Sequence, residues 1–365
     1  MPKRHRSDDA GDRRSRSSCR RCPPQRHLYV VLDDWSRGYS IYKLDVDGSG
    51  GGDPDDADLY LRAERLPEPP VFRLEMPVKV RGRFALFAAV GTRIFAMDYS
   101  DENRDAPVLV YDTATGALAV GPATPAELQY LPKLVAAGDR WLYALDRKAS
   151  GGGDHLMADG AGAARDGRAG CWRRDWGSIR DAALGGGRAP DCHAAHPDGR
   201  TVFFSVHGRG TFSLDNRTEE WARHGEWTLP FRGQAELDAW VGLRWVDGDD
   251  AAGQGLVCSC DVVPPDPDDG DGREPAWKVA EVVEADGERT VAVKLARMGG
   301  GVFCLVERRR RRGAHDDGDG RCLLYATTFR LRYGKDGELR AAERRARCYA
   351  VHKRSHKFEW QAFGI

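Results

Sequence analysis

Apolar and polar positions in this chain fall into a phrase that recurs about six times. An apolar strand is followed by a loop and a second apolar strand that usually ends in Asp. A tight polar turn and a short outer segment, often carrying Trp, complete the phrase. The first strands read His27–Asp34, Arg93–Asp98, Arg140–Asp146, Thr201–Val206, Leu237–Leu243 and Val302–Val306. The second strands read Tyr39–Asp45, Pro107–Asp112, Gly210–Asp215, Gly255–Asp261 and Leu323–Phe329, with a sixth expected near 154–160. Outer segments follow at Leu61–Pro67, Ala117–Pro122, Trp172–Ile179, Trp221–Leu229, Trp277–Val283 and Leu339–Val351. Lead-in strands recur at Phe84–Val90, Leu131–Ala137, Cys192–His196 and Val291–Met298. One small sheet cannot bury both of its faces alone, so a unit repeated at this spacing predicts an all-β, six-bladed propeller.

The turns have a mechanism. Thr113–Gly116, Asn216–Glu219 and Lys335–Glu338 supply Asn, Asp or Gly where a hairpin needs positive φ or a side-chain-capped bend, and His196–Gly199 combines Pro and Gly in the same way. The large rings Trp221 and Trp277 are expected to plug the space that opens between blades toward the rim. Nothing before His27 reads as a lead-in strand, whereas His356–Ile365 alternates without a hairpin partner of its own. That segment is therefore expected to supply the missing strand of the first blade and close the ring, leaving only short edges.

Two stretches depart from the pattern. Residues 1–25 are polar and basic and read as a disordered tail ahead of a propeller over 26–365. Residues from about 149 to 191 are dominated by Gly, Ala, Arg and Asp and read as a disordered insertion, or as a segment translated out of frame. Lys plus Arg (56) equals Asp plus Glu (56), so no global field draws the chain to nucleic acid or membrane. No apolar run approaches a membrane span, and no secretory signal is expected. The nine cysteines stand singly in apolar strands or in the tail, which suits a reducing compartment.

The phrases Arg26–Asp45, Ala194–Ser205 and Glu236–Leu243 resemble a grass-expanded, kelch-like family of unknown function, the type named domain of unknown function 1668. The resemblance covers residues 26–148 and 192–365. It implies a plant protein with a kelch-like propeller, and it carries no catalytic residues to this chain.

Candidate chemistry is thin. Cys258 and Cys260 share a strand face, but two thiols make half a metal site, and core packing is the simpler reading. Cys19 and Cys22 have ligand spacing without a second pair. Cys192, His193, His196, His207 and His224 contain the residue types of a nucleophile and base, yet their spacing argues no triad. Arg308–Arg312 reads as a solvated loop, Gly299–Gly301 as a turn, and the Lys3–Arg6 patch as nuclear-import-like. No catalytic, cofactor-binding or metal residues are assigned. The chain is read as a monomeric, cytoplasmic or nuclear scaffold for an unidentified protein partner. The alternatives are an enzyme with a carboxylate or metal site at the channel mouth, or a degenerate gene copy.

Overall fold

A computed structural model describes residues 27–34, 38–46, 59–75, 84–99, 106–124, 128, 132–138, 140–145, 154–158, 177–179, 190–236, 240–245, 255–270, 272–280, 290–310, 321–352 and 358–365. Among them the chain is all-β, its only helical turns being of the 3-10 kind, at Leu59–Arg62 and Pro267–Asp269. The first strands are β1 (Leu28–Asp33), β2 (Gly38–Leu44), β3 (Glu64–Arg65) and β4 (Phe72–Glu75). Next come β5 (Phe84–Val90), β6 (Arg93–Tyr99), β7 (Pro107–Asp112) and β8 (Leu118–Ala123), then β9 (Lys133–Ala137), β10 (Trp141–Leu145), β11 (Asp154–Ala158) and β12 (Gly177–Ile179). They are followed by β13 (Cys192–Ala195), β14 (Thr201–Val206), β15 (Gly210–Asp215), β16 (Glu220–Gly225), β17 (Arg232–Glu236), β18 (Trp240–Trp245), β19 (Gly255–Cys260) and β20 (Trp277–Ala280). The last are β21 (Thr290–Gly299), β22 (Val302–Arg310), β23 (Arg321–Tyr333), β24 (Leu339–His352) and β25 (Trp360–Gly364).

Strands β5–β8, β9–β12 and β21–β24 each form an antiparallel meander in chain order. The eight-stranded sheet is two more meanders, β13–β16 and β17–β20, joined by a parallel pairing of Cys192–Ala194 with Gly233–Ala235. The remaining sheet has the order β25-β1-β2-β4. Its first pair runs from Leu28 opposite Gly364 to Leu32 opposite Trp360, and His27 and Ile365 exchange backbone hydrogen bonds at 2.7 and 3.0 Å. Residues 360–364 thus supply the strand missing beside β1 in the first sheet, as their unpaired alternation predicts.

Period-2 alternation sends successive side chains of each meander to opposite neighbours. Ala88, Phe95, Met97 and Val108 of the second meander bury against Ala136, Leu142 and Ala144 of the third. Tyr143 and Leu145 meet Phe204 and Leu214, and Phe203 meets Trp240 and Cys258. Val241 and Val257 meet Phe303 and Phe329. Leu28, Val30 and Trp360 pack on Met298, Cys304 and Leu324 of the last meander, while Tyr29, Tyr39 and Ile41 pack on Ala85 and Ile94 of the second.

Several expectations are corrected. The outer strand of the first sheet is β4, not Leu61–Pro67. Within that span β3 pairs in parallel with β24, through Glu64 opposite Tyr349, and so extends the last meander instead. The lead-in strand β17, Arg-Gly-Gln-Ala-Glu, has no apolar run and carries a register irregularity, which is why it escapes pattern reading. The strand expected at Leu237–Leu243 is observed at Trp240–Trp245. Trp221 does pack on the cluster of the third and fourth meanders, but Trp277 is exposed and lies under the Arg244 guanidinium at 4.4 Å. Strands β11 and β12 fall within 149–191, and the second strand expected near 154–160 is β11. The 1–25 tail and the rest of 149–191, apart from residues 190 and 191, lie outside the described residues.

Candidate functional site

Of the residues that the sequence singles out, Cys192, Cys258, Cys260, His193 and His224 are brought into the core rather than into one site. Cys258 and Cys260 do share a face of β19, within a cluster that includes Cys192, Phe203 and Trp240. Burial pushes the Cys258 and Cys260 thiols up to about 12 and Cys192 to about 11. At neutral pH they are thiols and not thiolates, so none is an activated nucleophile or a ready metal ligand. Cys192 and His193 are successive residues of one strand and face opposite ways.

The histidines are likewise dispersed. His193 is only 2 % exposed, and Gln234, opposite it in register, is the side chain that reaches its ring. Burial, reinforced by the nearby Lys133 ammonium, holds its imidazole well below the usual range while Gln234 draws its titration up slightly, so the ring is neutral. His196 sits in its turn, where Nδ1 accepts from the Asp198 amide at 3.2 Å. His224 Nε2 lies 2.8 Å from Ser213 Oγ, and His207 donates its amide to the Asp191 carboxylate at 2.6 Å. These contacts hold turns and strands. Cys19, Cys22, Lys3–Arg6, Arg311 and Arg312 lie outside the described residues.

A polar group that the pattern does not single out gathers where the C-terminal strand meets its neighbours. Arg308 of β22 donates from Nη1 to the Phe358 carbonyl at 2.6 Å, and its guanidinium lies 5.1 Å over the Phe358 ring. Lys294 of β21 lies near both Glu359 and Arg308. Burial and the Arg308 charge draw its ammonium down while Glu359 draws it up, and the net shift is downward. The Glu359 carbonyl accepts from the Asp33 amide at 3.0 Å. On the other side of β1, the Tyr39 hydroxyl accepts from the Ala85 amide at 3.0 Å. Burial pushes that phenol to about 12. The Ala85 donor opposes the rise, and the charges of Asp33, Glu359 and Asp98 add to it.

Arg309, the next residue of the basic run, reaches the nearly inaccessible Glu307 carboxylate at 2.7 Å and stacks 4.3 Å over the Tyr325 ring. Arg308–Arg310 therefore belong to a strand and not to the solvated loop expected of them. Arg308 and Arg309 spend their charge inside the protein, one holding the incoming strand and the other a buried carboxylate. The one legible signal for this group is Lys294 itself, a lone cation within the apolar run Val291–Ala296.

Among the described residues no three His, Cys, Asp or Glu side chains group so as to hold a metal, and no helix is long and apolar enough to cross a membrane. No curated protein matches the chain. Among solved structures, it is similar to a structural genomics protein of unknown function from Bacteroides thetaiotaomicron, at 11% identity and a TM-score of 0.35 over 87% of this chain and 64% of that one. The chain thus spans a little under two thirds of that protein. The N-terminal domain of Nup159 matches at 8% identity and a TM-score of 0.38, over 87% and 86% of the two chains. Kluyvelomyces marxianus Hsv2 matches at 10% identity and a TM-score of 0.34, over 85% and 92%. Likenesses this distant say nothing of what the chain binds. A family model, by contrast, matches residues 25–349, and the chain belongs to the family described as Protein of unknown function (DUF1668).

Proposed function

We propose that the six meanders are the blades of one closed, kelch-like propeller, and that this propeller is a non-catalytic scaffold for a protein partner. Support for the ring comes from the apolar clusters. Each draws on two successive meanders, and the last meander packs on the first sheet through Leu28, Val30 and Trp360. Loops carried on such a frame are where recognition is placed.

The observation that carries the non-catalytic reading is how the reactive groups are used. The three thiols are held protonated by burial, His193 is enclosed, and Arg308 is engaged in holding the C-terminal strand. The second reading, an enzyme with carboxylates at the channel mouth, draws on Asp33, Glu359 and Asp98 around Tyr39. The scaffold acts as a monomer in the cytoplasm or nucleus on this proposal. Affinity capture with the full chain and with residues 26–365, followed by titration of the captured protein against the purified chain, tests it. A saturable complex with the folded protein is expected. Stoichiometric metal retained after dialysis, together with turnover lost on Asp98→Asn, would replace the scaffold with the enzyme.

A further inference from the structure

The outer strands of the last meander carry a stripe of guanidinium groups. Leu331 and Ala341 are opposite one another and pack inward, so the alternating residues Arg330, Arg332 and Arg340 lie on the other face. Arg332 stands directly opposite Arg340, and Arg345 stands opposite Thr328 beyond a register irregularity at Arg330. Arg330, Arg332 and Arg340 expose 38%, 62% and 65% of their side chains, and Arg345 is exposed. Like charges placed directly opposite across two strands destabilise the pair.

The stripe already shows what it holds. Glu343, at a positive φ of 56°, presents its carboxylate to two arginines at once, accepting from Arg330 Nε at 3.0 Å and from Arg332. Asp336 meets Arg340. Two carboxylates against four guanidinium groups leave a net positive surface, beside an edge of β24 that β3 covers only at Tyr349 and Ala350.

We infer that this stripe is the docking surface for an extended, acidic peptide segment of a partner protein. The inference rests on the scaffold reading and names the chemistry of its partner. Carboxylates at alternate positions of an extended segment repeat at about 6.7 Å, the spacing of Arg330 and Arg332 along their own strand. Guanidinium groups bind carboxylates in forked pairs. Nucleic acid is the weaker fit, because single-strand binding needs aromatic rings on which bases stack. Tyr333 is exposed but falls on the opposite face with Leu331, and Tyr349 is buried. Glu343 is then an internal competitor that the incoming carboxylate displaces.

The test is fluorescence anisotropy of a labelled Glu-Ser repeat peptide of roughly twelve residues against the full chain. Binding that weakens between about 50 and 200 mM salt is expected. The double reversal Arg332→Glu with Arg345→Glu should weaken it about tenfold or more, and Glu343→Gln should tighten it about threefold. Melting curves of each variant separate lost binding from lost folding, and Arg345→Glu alone serves if the double variant unfolds. Affinity unchanged in both the reversal and the Glu343→Gln variants overturns the inference, as does tighter binding of a single-stranded oligonucleotide of equal charge. Either result leaves the scaffold reading standing if the folded chain still captures a protein partner.

Discussion

Replacing Gly364 with Ala tests the joint between the C-terminal strand and the last meander. Gly364 is in β25, and a Cβ there falls far inside contact with the Arg297 carbonyl oxygen, 2.7 Å from the carbonyl carbon and 3.0 Å from Met298 Sδ. The thioether can rotate away, but the Arg297 carbonyl is backbone within β21 and cannot. Relief requires β25 and β21 to separate. Overpacking of this kind costs about 1–3 kcal/mol where the surroundings adjust. If the strand instead detaches, the nearly complete burial of Trp360 and Phe358 is forfeited at about 2 kcal/mol each. An effect near 3 kcal/mol follows, or a fall in Tm of roughly 4 °C for a chain of this size. Thermal melting followed by circular dichroism measures the loss, and hydrogen exchange over 28–33 and 360–364 locates it. The control is Gly116→Ala, where a Cβ meets nothing within 4 Å and only the positive φ of 71° is strained, so about 1 kcal/mol is expected. A Gly364→Ala protein that melts like the parent, with unaltered exchange in β1, refutes the packing assigned to this joint.

Three further outcomes are expected. His193 is neutral in the folded chain and titrates normally when unfolded. Its contribution is therefore present above about pH 6.5 and is lost as pH falls below it, at no more than about 1.4 kcal/mol per pH unit. Urea midpoints between pH 7 and 5 should slope less in His193→Leu than in the parent, and equal slopes would count against the buried neutral ring. Cys192, Cys258 and Cys260 should resist iodoacetamide at about pH 8 until the chain is unfolded, as peptide mapping would show, whereas modification of the native protein would contradict their burial. Arg309→Met leaves the buried Glu307 carboxylate, among the described residues, with the Thr290 hydroxyl at 3.3 Å, and urea titration should register a loss of about 3–5 kcal/mol.

The repeats are legible because their strands bury one side chain in two. Arg93–Asp98 reads as a strand from its alternation, and it is one, with Phe95 and Met97 directed to the third meander and Ile94 to the first sheet. Where packing is supplied by the neighbour, the pattern fades. Strand β17 is held by its parallel pairing to β13, so Arg232–Glu236 needs no apolar run of its own. Short strands at sheet edges trade places for a similar reason. Leu61–Pro67 reads as the outer strand of the first sheet, and only the fold decides that its Glu64–Arg65 joins β24 while Phe72–Glu75 joins β2. Charge misleads most. Five consecutive arginines read as solvated, yet Arg308 and Arg309 find an aromatic ring and a polar acceptor each, which local composition cannot foretell. The same limit hides the forked Glu343, since its two arginines come from another strand.

The pairing of Leu28–Leu32 with Trp360–Gly364 has a consequence for biogenesis. On the ribosome, the flank of β1 away from β2 has no hydrogen-bonding mate until some three hundred residues more have been made, on the order of half a minute at ordinary elongation rates. For that interval a strand as apolar as Leu-Tyr-Val-Val-Leu stands open on one side, the condition that invites pairing with a foreign chain. A nascent polypeptide built this way leans on chaperones early and commits to its final form only once residues 360–364 have emerged.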